Sequence, residues 1–140
     1  KISTLLLVHA ASAWFMTGLI WLVQIVHYPL LSRVGAAGYA DYQLAHQRLI
    51  SIVVGPAMLI EAGAAVLLLL DRRNPWTLTG VALLAVVWCS TAFLQVPLHN
   101  ALSIGFDSET HSRLVQTNWI RTIAWTARAL ISLYLLRVTA

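Results

Sequence analysis

Charged residues are scarce in this chain of 140 residues: Asp, Glu, Lys and Arg make up 10% of it, whereas 59% is hydrophobic. A soluble domain of this length needs a largely polar surface, and too few polar side chains are present to provide one. The mean hydropathy of +0.77 points the same way. The composition therefore predicts an integral membrane protein whose main partner is the lipid bilayer.

Cysteine and acidic residues are also scarce. Cys89 is the single cysteine, so the chain cannot form a disulfide within itself or a cysteine-based zinc or iron–sulfur site. Asp and Glu number 5 against 9 Lys and Arg, and the formal net charge is +4. Because the basic residues are scattered at the ends of apolar runs, we expect them to contact lipid headgroups, and we expect no nucleic-acid partner.

Four apolar runs fill most of the chain. A membrane-spanning helix needs about 20 apolar residues, so four crossings account for a chain of this length. The first run exceeds the apolar core of a signal peptide and is interpreted as a retained span. We predict spans at about 5–28, 46–70, 77–98 and 117–137, within one transmembrane domain covering residues 1–140. The predicted fold class is all-α, a polytopic membrane four-helix bundle.

Prolines and a weak internal repeat subdivide the runs. Pro29 and Pro97 should end the first and third helices, and Pro56 should kink the second. Three polar pairs recur at nearly the same separation along the chain: Gln24 and Gln95, His27 and His99, and Arg48 and Arg121. Two duplicated helical hairpins would produce these separations, and chance similarity is the alternative.

An even number of crossings places both termini on one side of the membrane. Lys1, Arg72, Arg73 and Arg137 belong to that side, and the positive-inside rule then favours cytoplasmic termini. We expect a bacterial inner membrane. The other side receives the polar ends of all four spans and four of the five histidines.

Three histidines at that polar side form the candidate site. His27, His46 and His99 come from three different spans at similar depth, so their imidazoles could bind a metal ion or haem. The alternative is that each one hydrogen-bonds a carbonyl group or a headgroup. Five further residues are candidates for contacts with substrate or for support of the histidines: Tyr42, Arg48, Gln95, Asn118 and Arg121.

Two charges lie deep inside the predicted spans. An ionised group at the centre of a bilayer costs at least about 2.5–3.5 kcal/mol, so it needs compensation. Helical spacing predicts that Glu61 and Arg128 form a buried ion pair, which His9 could extend. Such a pair could relay protons or anchor a ligand, or it could serve helix packing alone.

Several segments resemble a group of short bacterial four-helix membrane proteins for which no activity is established. The likeness covers nearly the whole chain and is carried by Val26-His27-Tyr28-Pro29, by Tyr42 to Arg48, by Gln95-Val96-Pro97-Leu98-His99 and by Asn118-Trp119-Ile120-Arg121-Thr122. The resemblance implies the four-helix topology and names no reaction.

Two functions remain open at this point. The first is a histidine-containing polar pocket near one membrane interface, which binds a metal, haem or a lipophilic substrate for redox-type chemistry. The second is a non-catalytic accessory subunit of a larger respiratory or photosynthetic membrane complex, in which other membrane subunits, or further copies of the chain, cover the apolar faces. The sequence does not decide whether the protein is an enzyme.

Overall fold

The computed structural model describes residues 2–139, which form four long helical segments. The first segment is Thr4–Arg33, the second Ala36–Asp71 and the third Pro75–Leu102. The fourth is a single α-helix, Ser108–Thr139. The all-α architecture agrees with the sequence analysis. Lys1, which contributed to the predicted orientation, lies outside the described residues.

Polar side chains mark where several helices begin. Ser3 Oγ accepts a hydrogen bond from the backbone N–H of Leu6 at 3.3 Å. Asn74 Oδ1 accepts from the backbone N–H groups of Trp76 at 2.9 Å and Thr77 at 3.1 Å. Thr77 Oγ1 in return accepts from the backbone N–H of Asn74, which completes a capping box. These contacts satisfy N–H groups that the helix itself leaves without partners.

The sequence predicts that the first and third helices end at Pro29 and Pro97. Both segments instead continue past their prolines. Each contains a π-helical turn, Val23–His27 and Thr91–Gln95, and continues as a short α-helix, Tyr28–Leu30 and Val96–Leu102. The wider turn lets the backbone N–H groups of Tyr28 and Val96 bond the carbonyls of Val23 and Thr91. Proline then occupies the first turn of the continuing helix, where its missing N–H needs no acceptor.

The second and fourth helices begin before the spans predicted for them. Their α-helical parts start at Tyr39 and Ser108 rather than near residues 46 and 117. The additional turns are polar, which made them resemble loops in the sequence. They are helical because their polar groups find partners in the bundle: Gln43 is completely buried, and His111 Nε2 lies 2.7 Å from the carbonyl oxygen of Tyr28.

The four segments are arranged around a shared interior. The fourth packs against the first and the third, and the first also packs against the second, while the second and third make the sparsest contact among neighbouring segments. A hydrogen bond of 2.9 Å from Arg72 Nη1 to Thr139 Oγ1 joins the end of the second segment to the end of the fourth. Two apolar clusters, one around Trp125 and one around Leu68, fill the interior.

Three segments are long and apolar enough to cross a membrane: Thr4–Arg33, Ala36–Asp71 and Pro75–Leu102. The fourth segment is long enough, but it carries more charge. Its arginines Arg121 and Arg128 are turned into the bundle and are 7% and 1% exposed. The sequence analysis predicted four spans, and composition supports three of them.

The first two segments form one helical hairpin and the last two form another. The two hairpins have matching structural features at a separation along the chain that differs from the one noted in the sequence. One π-helical turn begins at Val23 and the other at Thr91, and the prolines that follow these turns are Pro29 and Pro97, so both pairs of landmarks have the same separation along the chain. His27 and Gln95, each the last residue of its π-helical turn, therefore occupy matching positions. The polar pairs noted in the sequence analysis are spaced slightly further apart and do not match in this register.

Candidate functional site

A cavity of about 550 Å³ lies where the second and third segments separate. The lining residues of the first and fourth segments, such as Met16, Tyr28 and Trp125, are buried, except Leu19, which is half-buried. The exposed lining residues all belong to the second and third segments: Ser51, Leu59, Trp88, Ala92 and Val96. The mouth of the cavity therefore lies between these two segments and opens at the side of the bundle.

The cavity has an apolar part and a polar end. Apolar side chains such as Ile20, Val54 and Met58 line most of it. The hydrogen-bonding side chains of the polar end come from all four segments and are Tyr28, His46, Gln47, Gln95, His99 and Arg121. Such a combination is typical of sites for small organic molecules, whose volumes run from about 300 to 1,000 Å³.

The structure brings the three candidate histidines together. His27 Nε2 and His46 Nδ1 lie 3.0 Å apart and share a hydrogen bond. The rings of His46 and His99 have centroids 5.5 Å apart. His99 Nε2 lies 2.7 Å from the Tyr28 hydroxyl, and His99 Nδ1 lies 2.7 Å from Gln43 Nε2. The alternative interpretation gave each histidine a carbonyl group or a headgroup as its partner, whereas the partners in these contacts are other side chains.

Within residues 2–139, no group of three or more His, Cys, Asp or Glu side chains has the geometry to hold a metal ion. Several histidine nitrogens already have protein partners. Facing nitrogens of His27 and His46 bond each other, and both nitrogens of His99 contact protein atoms. An ion bound through these nitrogens would have to displace those partners, because a ligand nitrogen must direct its lone pair at the metal.

Arg121 is the charged group at the polar end of the cavity. Its Nε and Nη2 donate to Asn118 Oδ1 at 2.9 and 2.6 Å. Nη2 also lies 3.1 Å from the Tyr28 hydroxyl and 3.4 Å from Gln95 Oε1. Nη1 donates to Thr91 Oγ1 at 3.3 Å. All these acceptors are neutral.

A buried amide network behind Arg121 keeps Asn118 in place. Asn118 Nδ2 donates to Gln24 Oε1 at 2.9 Å, and the Thr122 hydroxyl donates to the same oxygen at 3.1 Å. Gln24 Nε2 completes its own bonding by donating to the carbonyl of Val115 at 3.1 Å. Asn118 lies behind the lining of the cavity and acts on it by orienting the guanidinium of Arg121.

Glu61 and Arg128 meet deeper in the bundle. Arg128 Nε donates to Glu61 Oε1 at 3.0 Å, and the indole N–H of Trp125 donates to Glu61 Oε2 at 2.9 Å. Arg128 Nη1 also donates to the backbone carbonyl of Gly80. His9 is buried nearby, but among the described residues no hydrogen bond joins it to Glu61 or Arg128, and its Nδ1 has no partner within residues 2–139.

Four of the predicted residues around the polar end do not line the cavity: His27, Tyr42, Arg48 and Asn118. Tyr42 is 42% exposed, and its ring stacks beside that of His27 with centroids 6.5 Å apart. Arg48 is exposed and is not part of the lining. The sequence analysis named neither Gln43 nor Thr91, although both contact residues of the polar end. No local pattern distinguishes Gln43 from the other polar residues at the start of the second helix, or Thr91 from the other polar residues of its apolar run.

Comparison with models of known families, with curated proteins and with solved structures gives no match. The function is therefore inferred from the geometry of the chain itself.

Proposed function

We propose that the protein resides in a membrane and binds a lipophilic small molecule that enters the cavity from the bilayer. The distribution of side chains supports the membrane location. Large apolar residues such as Ile52 and Phe93 are 65% and 76% exposed, while polar residues such as Gln24 and Asn118 are buried. Lipid acyl chains can solvate such an exterior, whereas water cannot do so favourably.

We also propose that the fourth helix crosses the membrane. Its polar face, which includes Asn118, Arg121 and Arg128, is buried in the bundle, and its exposed face carries Ile123, Leu130 and Leu133. Four crossings place both termini on one side. Cytoplasmic termini stay a prediction, and labelling of cysteines introduced near each end of the chain would test it. A bacterial inner membrane also stays a prediction.

The observation that carries the binding proposal is the lateral mouth of the cavity. A molecule dissolved in the bilayer reaches the gap between the second and third segments without passing through water. Its apolar body would contact Val54, Met58 and Trp88, and its polar group would meet Tyr28 and Arg121. The histidines contribute hydrogen bonds in this proposal, and no redox step is required of them.

Photolabelling tests the proposal. A diazirine-bearing fatty alcohol is added to the protein in lipid nanodiscs and irradiated, and labelled residues are mapped by peptide mass spectrometry. We expect labelling of buried lining residues such as Met16 and Met58, in addition to the lipid-facing surface. Labelling confined to the outer surface would contradict the proposal and would favour the accessory-subunit alternative.

Two glycines of the second segment provide a matched pair of variants. A Cβ atom added at Gly55 or at Gly63 meets no atom within 4 Å, so both positions have room for the start of a side chain. Gly55 lines the cavity, whereas Gly63 is exposed outside it. Gly55→Leu should reduce labelling of Met58, and Gly63→Leu should leave it unchanged.

We further propose that the two hairpins arose by duplication. The matching π-helical turns at Val23–His27 and Thr91–Gln95 support a parallel repeat, with its axis along the membrane normal. A comparison of close relatives, with the two hairpins aligned at these turns, would test it.

A further inference from the structure

We infer that the ligand of this cavity is an anion, with an apolar body and one acidic headgroup that pairs with Arg121. The inference rests on the proposed function, because it specifies the chemistry of the molecule that the cavity binds. It is carried by the charge balance at the polar end of the cavity.

Arg121 is a buried cation without a counter-charge in the described part of the chain. It is 7% exposed, and the ion pairs among residues 2–139 are Arg128 with Glu61 and Arg72 with Asp71. Of the Asp and Glu residues that the structure describes, none lines the cavity. A charge removed from water is costly unless an opposite charge compensates it, so this site favours an incoming anion.

Arg128 shows how the same helix treats its other buried arginine. It lies about two helical turns beyond Arg121 and is compensated by Glu61 at 3.0 Å. Both arginines are on the buried face of the fourth helix, but only Arg121 borders the cavity. The arginine that has its own carboxylate is thus closed off, and the one that lacks a carboxylate is accessible to a ligand.

The hydrogen bonds of Arg121 leave capacity for a ligand. An arginine has five N–H groups, two of them on Nη1. Nη1 has one acceptor, Thr91 Oγ1, at the long distance of 3.3 Å. One N–H of Nη1 therefore has no acceptor among residues 2–139. A carboxylate or phosphate oxygen could accept it while also supplying the missing negative charge.

A neutral ligand would satisfy this site less well. A ketone or ester carbonyl could accept the same hydrogen bond but would leave the positive charge uncompensated. The hydrogen bond from Arg121 is charge-assisted with either ligand, so the difference between the two is the compensation of the buried positive charge. The site should therefore prefer an acid to its neutral ester. Because the two share the same apolar body, a difference in their binding reports on the headgroup.

The experiment compares ligands that differ in headgroup. Radiolabelled palmitate is bound to the protein in phosphatidylcholine nanodiscs and is competed with methyl palmitate, palmityl alcohol or phosphatidylglycerol. We expect palmitate to bind about tenfold or more tightly than the ester and the alcohol. Competition by phosphatidylglycerol alone would identify an anionic phospholipid, and not a free acid, as the source of the headgroup.

Two arginine variants separate the site from general charge effects. Arg121→Gln should abolish the preference for the acid, whereas Arg113→Gln, on an exposed position of the same helix, should preserve it. If Arg121→Gln does not fold, the comparison of acid and ester on the unaltered protein decides the question. Equal binding of acid, ester and alcohol would overturn this inference and leave the proposed function standing. Failure of every ligand to bind would overturn both.

Discussion

Glu61 and Arg128 form an ion pair between the second and fourth segments, with Arg128 Nε donating to Glu61 Oε1 at 3.0 Å and neither side chain exposed. Trp125 donates its indole N–H to the other carboxylate oxygen at 2.9 Å. Trp125 also lines the cavity, and the guanidinium carbon of Arg121 lies 6.0 Å from its ring centroid. One indole ring therefore separates the compensated arginine from the uncompensated one.

Replacing one partner of this pair should destabilise the bundle strongly. Glu61→Gln leaves Arg128 as a buried cation without a counter-charge, and the expected loss is about 3–5 kcal/mol in the free energy of unfolding. Asp71→Asn is the matched control, because Asp71 is exposed and its ion pair with Arg72 should contribute less than about 1 kcal/mol. Unfolding in mixed micelles measures both, and equal losses would contradict the assignment.

Gln24 should be essential to the amide network that holds Arg121. Gln24→Leu removes the side-chain oxygen that accepts two hydrogen bonds, and it leaves the buried Asn118 amide without its partner. An unsatisfied buried polar group costs about 1–3 kcal/mol. Gln116→Leu provides the control, because Gln116 is exposed and bonds the Ser112 hydroxyl at the surface. A Gln24 variant as stable as the Gln116 variant would show that the network contributes little.

Asp107 should make the stability of the fourth helix depend on pH in the acidic range. Its carboxylate accepts from the Thr110 hydroxyl at 2.6 Å and from the Thr110 backbone N–H at 2.8 Å. These bonds, the hydroxyl contact first, lower the pKa of Asp107 below its ordinary value of 3.8. The ionised form therefore stabilises the folded state above pH 3.8, and this contribution is lost as the pH falls through the lowered pKa.

A comparison with Asp107→Asn tests this pH dependence. Asparagine can still cap the helix but does not titrate, so the melting temperature of the variant should approach that of the unaltered protein as the pH falls below 3.8. A constant difference at every pH would assign the effect to something other than the charge. Melting curves followed by circular dichroism give the answer.

The capping box at Asn74 should stabilise the start of the third segment. Asn74→Ala removes an acceptor of two backbone N–H groups, and the expected loss is about 1 kcal/mol. Asn100→Ala, at an exposed position of the same segment, should change stability little. Hydrogen exchange of the Trp76 and Thr77 amides would localise the effect, and unchanged exchange there would contradict it.

Several features followed from the sequence because they depend on composition and helical period. The apolar runs led to the four segments, and positions of Glu61 and Arg128 along their helices were enough to suggest the pair, since helical rise fixes depth. The shared depth of His27, His46 and His99 followed from the order of the crossings, which places the ends of their segments on the same side. None of these required knowledge of a contact in advance.

Other features depend on contacts between residues distant in the chain, which only the tertiary structure decides. The polar starts of the second and fourth helices are helical because Gln43 and His111 find partners across the bundle. Both nitrogens of His99 are directed at Tyr28 and Gln43, which no spacing in the sequence indicates. Arg48 and Arg121 looked equivalent in the sequence, yet one is exposed and the other borders the cavity.

The sequence by itself determined that the chain is helical, that its long segments are apolar, and that two opposite charges lie deep within them. The tertiary structure decided that the second and third segments separate to leave a cavity, and that Arg121 faces it with neutral partners from the described residues. The physical reason is that hydrophobicity and helical period are properties of local sequence. Compensation of a charge depends instead on which groups from other segments surround it after folding.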